Sequence, residues 1–336
     1  MVNSKKINIG ISIGDPNGIG IEIILKTLSK TNLYKECNFI VYSSQNLVKK
    51  QRDFFKIKTF PVKKINSVDE AEPDCINIKE VFTYSEFEFG KNDRDASAKG
   101  IISFKEAVND AIKGEIDVLI TAPINKELSY SNTFKFSGHT DYLKNILDEE
   151  PMMLMVSDNL KLGLLTEHVP LKDVVKETTT KKVIKKIKTL RETLIKDFLI
   201  KDPKIAILAI NPHAGDNGVI GSDDQEILLP AIKSVNNQKQ LTYGPYSADT
   251  FFCNENFKKY DGIIAAYHDQ GLIPFKTISF GNGVNYSAGL PIIRTSPDHG
   301  TGFDIAGKGV ASPASFTQAL KVGVNIYRSR NKIVLH

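Results

Sequence analysis

Residues 7–20, INIGISIGDPNGIG, decide the fold. An apolar run, residues 7–13, ends on the turn Gly14-Asp15-Pro16-Asn17-Gly18, and residues 20–29 follow with the pattern of a short helix. Five more apolar runs repeat the opening: residues 38–42, 117–120, 160–165, 205–210 and 262–266. The last four run into polar or glycine-bearing turns: TAPINK (121–126), TEH (166–168), NPHAG (211–215) and YHDQG (267–271). Continuous apolar runs bounded by turn residues read as buried strands of a parallel sheet. Helical patterns lie between them. Residues 96–112 place Ile101, Ile102, Phe104, Ala107, Val108, Ala111 and Ile112 at helical spacing. Residues 180–199 carry the stripe Val183, Ile184, Ile187, Leu190, Leu194, Ile195 and Phe198, and their lysines read as a solvated face. Strands alternating with helices predict an α/β fold.

The chain has 336 residues, enough for about two domains and a sizeable core. No compositional break separates two halves, so the chain path is expected to interleave. An apolar fraction of 41% and a charged fraction of 25% exclude disorder for the whole chain. The net charge of +5 is too weak to argue for nucleic acid, although it leaves room for a mildly positive cleft and an anionic substrate. Cys37, Cys75 and Cys253 are few, odd in number and form no CxxC pair. A disulfide framework and a zinc ribbon are thereby excluded, and a reducing cytoplasm is the simplest setting. The N-terminus lacks the pattern of a signal peptide, and no apolar run approaches the ~20 residues of a membrane span.

Three of the six histidines, His168, His213 and His268, come just after apolar runs. In open α/β sheets, ligands sit outside the carboxyl ends of the strands. Three imidazoles there describe a divalent metal site with an open position. Each can equally be a hydrogen-bonded loop histidine, and their wide spacing contains no local zinc motif. Asp269 either orients His268 or caps a helix. GDPNGIG is not GxGxxG, and no GxxxxGK[ST] occurs, so the first turn reads as a tight strand-to-helix connection. Residues 281–309 are rich in glycine, and Lys276 and Arg294 add positive charge. They read as a loop that lets backbone approach an anionic ligand, or as a solvated surface loop.

In order along the chain, GDPNGIG (14–20), TAPINK (121–126), SGHTDYL (137–143), TEHVPL (166–171), NPHAGDNG (211–218), GPYSADTFF (244–252), YHDQGLIPFK (267–276) and residues 285–309 resemble the 4-hydroxythreonine-4-phosphate dehydrogenase (PdxA) family of pyridoxal phosphate biosynthesis. The resemblance implies two α/β/α domains flanking a cleft, as in isocitrate and isopropylmalate dehydrogenases, and not a Rossmann domain. The first domain would hold residues 1–125 and 275–336 with the cofactor loop. The second, residues 126–274, would hold the metal ligands and dimer contacts. A homodimer with its active site at the subunit interface is implied.

The resemblance also implies roles. His168, His213 and His268 match ligands of one divalent ion (zinc, magnesium or cobalt). His139, Thr140, Lys276, Asn285 and Arg294 match substrate contacts, with Asp249 a weaker candidate. Lys276 or a metal-bound hydroxide would be the general base. His299, Gly300, Thr301, Gly302, Asp304 and Gly307 match a loop for NAD or NADP. The activity implied is oxidation of the C3 hydroxyl of 4-phosphooxy-L-threonine, followed by decarboxylation to 3-amino-2-oxopropyl phosphate. One alternative is oxidation of 4-phospho-D-threonate or 4-phospho-D-erythronate; a remote one is non-catalytic binding of an anionic metabolite. The chain departs from the family pattern at Gly302-Phe303, where Ala-Leu is commoner, and at Glu167, which precedes the first metal histidine.

Overall fold

The structure, a computed structural model, describes residues 6–131, 134–236 and 241–334. Twelve strands run through the described residues: β1 (Ile7–Ser12), β2 (Cys37–Ser43), β3 (Val62–Ile65), β4 (Ile76–Glu80), β5 (Val118–Thr121), β6 (Met152–Val156), β7 (Lys161–Leu164), β8 (Ile205–Leu208), β9 (Thr242–Tyr246), β10 (Gly262–Ala265), β11 (Val284–Ala288) and β12 (Arg294–Pro297). The chain divides into two compact units, Met1–Asp148 with Pro291–Tyr327, and Glu149–Leu290 with Arg328–His336.

The first unit has a parallel sheet in the order β3-β4-β2-β1-β5-β12. That order is not the 3-2-1-4-5-6 of a dinucleotide-binding Rossmann sheet. Strands β1, β2 and β5 are buried almost throughout, which explains why apolar residues dominate them. Edge strand β3 buries Val62 and Ile65 and exposes Lys63 and Lys64, a pattern that discourages further strand pairing. The helix Arg94–Lys113 starts where the Asp93 carboxylate accepts the amides of Asp95 and Ala96, and it stops at left-handed Gly114. It buries Ile101, Phe104, Ala107 and Val108.

The second unit has the order β11-β6-β7-β10-β8-β9. Strands β7, β10, β8 and β9 are parallel, and β6 is antiparallel to both β7 and β11. Leu162, Leu164, Ala206, Leu208, Ile263 and Ala265 form the sheet's core with Leu272 and Phe275 of the helix His268–Ser279. The helix Thr180–Lys196, capped by the Thr179 side chain, buries Val183, Ile187, Leu190 and Leu194. Lys181, Lys185, Lys188 and Lys196 form an exposed face, Lys182 is half-buried, and Lys186 is buried and donates to Pro151 O at 3.2 Å.

The chain crosses between units after residues 148, 290 and 327, whereas the sequence placed crossings near 125 and 274. Local contacts account for the difference. The Phe104 ring lies 4.4 Å from His139 and 5.3 Å from Tyr142, tying the helix His139–Leu147 to the first unit. Pairing of β11 with β6 carries residues 284–288 into the second. The glycine-rich stretch 281–309 is also more than loop, since it contains β11 and β12. No helix among the described residues is long and apolar enough to cross a membrane.

Candidate active site

In the second unit, β7, β10 and β8 are parallel neighbours, so their carboxyl ends share one sheet edge at ~4.8 Å intervals. His168, His268 and His213 follow these three ends. The Thr166 amide and hydroxyl both donate to Ala266 O, at 3.2 and 2.8 Å. The rings of His168 and His268 are 5.8 Å apart. His268 Nδ1 lies 2.7 Å from the accepting Asp269 Oδ1, so Asp269 orients the imidazole and leaves Nε2 as the nitrogen whose lone pair can face a cation. Glu167 fastens the same turn. Its carboxylate accepts Met153 N at 3.2 Å and lies 3.5 Å from Lys186 Nζ.

His213 stands in Pro212–Gly218, where residues 213–217 all have positive φ. Gly215 is required there, because a Cβ would collide with Gly221 O. The buried Asp224 carboxylate anchors this turn by accepting Ile210 N and Asn211 N at 2.7 and 3.0 Å. Exposed Asp249 has its carboxyl pKa lowered, first by the Ser247 hydroxyl at 2.6 Å and to a lesser degree by His213. No group of three metal-ligating side chains among the described residues is drawn close enough to hold an ion. The donor chemistry nonetheless fits a divalent cation at His168 and His268, where one ring is fixed by a carboxylate and both follow parallel strand ends. Lys276 is exposed on the helix His268–Ser279, and Asn285 lies on β11 opposite Met155.

In the first unit, Arg294 opens β12 and is only 3% exposed. Its Nε and Nη2 donate to Thr121 Oγ1 at 3.0 and 2.5 Å, and burial lowers its pKa to about 10. His139, followed by half-buried Thr140, opens its helix. Burial, and then the charges of Arg294 and Lys126, hold its pKa well below the ordinary value. Its Nε2 is buried without a hydrogen-bond partner. A neutral imidazole with an unsatisfied nitrogen near a buried guanidinium suits an anionic, hydroxyl-bearing ligand. Thr121 and Lys126 received no individual role from sequence, although both lie in the quoted TAPINK motif.

The expected cofactor loop meets the first turn in this unit. Ile19 N donates to Thr301 O at 2.9 Å, and Gly302 packs against the Ile19 side chain. Asn17 joins a third segment, accepting Glu88 N at Oδ1 (2.8 Å) and donating from Nδ2 to Lys91 O (3.1 Å). Gly307 packs on the Phe89 ring, Gly300 faces open space, and Asp304 is exposed. His299 Nδ1 is 3.0 Å from Gly300 O. A carbonyl only accepts, so Nδ1 carries a proton, and in the neutral ring Nε2, buried and without a hydrogen-bond partner, is an acceptor. That acceptor fits an amine or ribose hydroxyl of a nicotinamide dinucleotide.

The family model described as pyridoxal phosphate biosynthetic protein PdxA matches residues 35–323. A 4-hydroxythreonine-4-phosphate dehydrogenase of Bacteroides thetaiotaomicron is 38% identical over 335 residues, covering 98% of this chain and 92% of that one. A Clostridium botulinum relative, provisionally named D-threonate 4-phosphate dehydrogenase, is 34% identical over 95% of this chain and 96% of its own length. Among solved structures, the 4-hydroxythreonine-4-phosphate dehydrogenase of Klebsiella pneumoniae superimposes with a TM-score of 0.82 and 30% identity, covering 98% of this chain and 99% of that one.

Proposed function

The chain belongs to the PdxA family of pyridoxal phosphate biosynthetic proteins, and from that premise we propose that it oxidises the C3 hydroxyl of 4-phosphooxy-L-threonine. The product is 2-amino-3-oxo-4-phosphooxybutanoate, a β-keto acid, which loses CO2 to give 3-amino-2-oxopropyl phosphate. The observation that carries this reading is the buried Arg294 guanidinium on Thr121, with the neutral His139 ring near it. Such a seat supports a substrate with anionic ends and a free hydroxyl.

We assign substrate contacts to His139, Thr140, Lys276, Asn285, Arg294 and Asp249. Lys276 is the protein's own candidate to take the hydroxyl proton. His299, Gly300, Thr301, Gly302, Asp304 and Gly307 are assigned to NAD or NADP, and His168, His213 and His268 to one zinc, magnesium or cobalt ion. When bound, the dinucleotide supplies the hydride acceptor and the cation supplies positive charge beside the reacting oxygen. Asp269 keeps His268 in one orientation, and Arg294 holds an anionic end of the substrate. A cytoplasmic homodimer with a shared site is the working form we propose. Cys37, Cys75 and Cys253 are thiols and not disulfides, which agrees with a reducing compartment.

The second reading, oxidation of 4-phospho-D-threonate or 4-phospho-D-erythronate, has support in the name of the Clostridium relative. NADH or NADPH formation separates the two. The expected result is turnover of 4-phosphooxy-L-threonine that a chelator abolishes and added metal restores. Turnover of the D-acids alone moves the protein to sugar-acid oxidation, and turnover indifferent to chelator overturns the metal assignment.

A further inference from the structure

Gln270 belongs to none of the roles above, yet its side chain joins two of the strand ends that lead to the expected metal ligands. The β10–β8 ladder ends at Ile264↔Ile207. Just beyond it, Gln270 Oε1 accepts Ala266 N and Gln270 Nε2 donates to Ala209 O, both at 2.7 Å. Ala266 lies two residues before His268, and Ala209 lies four before His213. On the other side of β10, the Thr166 hydroxyl donates to Ala266 O, two residues before His168.

We propose that Gln270, with Thr166, is a positioning clamp that braces the turns carrying His168, His213 and His268 for divalent metal. The inference rests on the metal assignment above. An amide suits this task because one end accepts and the other donates. Its rigid plane therefore holds two backbones at a fixed separation without adding charge beside a cation. Glutamate in its place would set a carboxylate against the Ala209 carbonyl. Residues that orient metal ligands from outside the coordination sphere typically change affinity by about 10–100-fold when lost.

The test is Co(II) titration of metal-free protein, followed by visible absorption, for the unaltered chain, Gln270→Met and Thr166→Val. Both substitutions preserve volume and remove only the side-chain hydrogen bonds. Thermal unfolding in chelator establishes that each variant is folded at the titration temperature. The expected result is a Kd for Co(II) raised about 10-fold or more in Gln270→Met, with an altered absorption band in the folded protein. A clamp that matters only for folding would lower the unfolding temperature and leave the Kd and the band unchanged; that outcome overturns the proposal. Should Gln270→Met not fold, Thr166→Val decides by the same readout, with weakened binding expected and unchanged affinity overturning it. If the unaltered chain itself binds no Co(II), the metal assignment fails and the clamp falls with it.

Discussion

At the scale of single residues, His139 is a neutral imidazole held where a proton is unwelcome. Burial comes first and the charges of Arg294 and Lys126 add to it, so its pKa lies well below 6.5 in the folded chain. In the unfolded chain it returns to about 6.5. Below that pH the unfolded chain takes up a proton that the folded chain refuses, so stability falls as pH drops from ~6.5 toward the folded pKa. The slope reaches about 1.4 kcal/mol per pH unit. Urea unfolding at pH 7.5 and 5.5 should show a smaller loss for His139→Gln than for the unaltered chain. Equal losses would show that other groups carry the acid sensitivity. Arg294 is the complementary case, a buried cation in contact with the Thr121 hydroxyl. If it holds an anionic end of the substrate, Arg294→Gln should lower kcat/KM about 100-fold, the equivalent of ~3 kcal/mol for a buried charge contact. Kinetics within about threefold of the unaltered chain would leave Arg294 a structural cation. Arg294 was legible in the sequence as a positive charge amid glycines. Its partner Thr121 was not, because their meeting depends on the pairing of β12 with β5, which no local pattern records.

At the scale of elements, what could be read from sequence depended on position in the sheet. The six strands foreseen as unbroken apolar runs, β1, β2, β5, β7, β8 and β10, all have neighbours on both sides. Burial on both faces forces continuous apolar sequence, the signal such a reading uses. Edge strand β3 sets two exposed lysines between buried Val62 and Ile65 over only four residues, too short for a run or an alternation to show. Edge strand β9 contains Gly244 and Pro245, which mark turns elsewhere. Methionines fill most of β6, which has a single β-branched residue, Val156, to signal a strand. Strand β11, VNYSA, mixes polar with apolar residues between Gly283 and Gly289, and β12, RTSP, has no aliphatic run; both take strand form through ladders with distant β6 and β5. The site follows the same division. Histidines placed just after legible strands could be set at one sheet edge from sequence. The side chains that brace them could not, because Gln270 and Thr166 reach across to neighbouring strands. Glu167, a departure from the family pattern with no evident role in sequence, gains one through Met153 and Lys186.

At the scale of the whole molecule, an interleaved chain must be secured where it makes its last return. The helix Ala314–Val334 begins in the first unit, and its residues from Arg328 onward belong to the second. There Arg330 Nε donates to Asp197 Oδ1 at 2.7 Å and its Nη2 donates to the Tyr286 hydroxyl at 2.9 Å. The Tyr286 hydroxyl in turn donates to Asp197 Oδ2 at 2.6 Å. Asp197 ends the helix Thr180–Lys196 and Tyr286 lies on β11, so one guanidinium joins three elements far apart in sequence. The Asp197 carboxylate is 2% exposed, so the Arg330 guanidinium and the Tyr286 hydroxyl stand in for the water it has lost. Removing one partner of a buried ion pair costs about 3–5 kcal/mol, because the other charge is left uncompensated, whereas apolar replacement of both costs much less. Arg330→Met should therefore destabilise the second unit by roughly that amount in urea unfolding. Arg330→Met combined with Asp197→Leu should recover much of the loss. A single variant within about 1 kcal/mol of the unaltered chain would mean that the last turns are held by packing alone, as a surface ion pair's small contribution would allow.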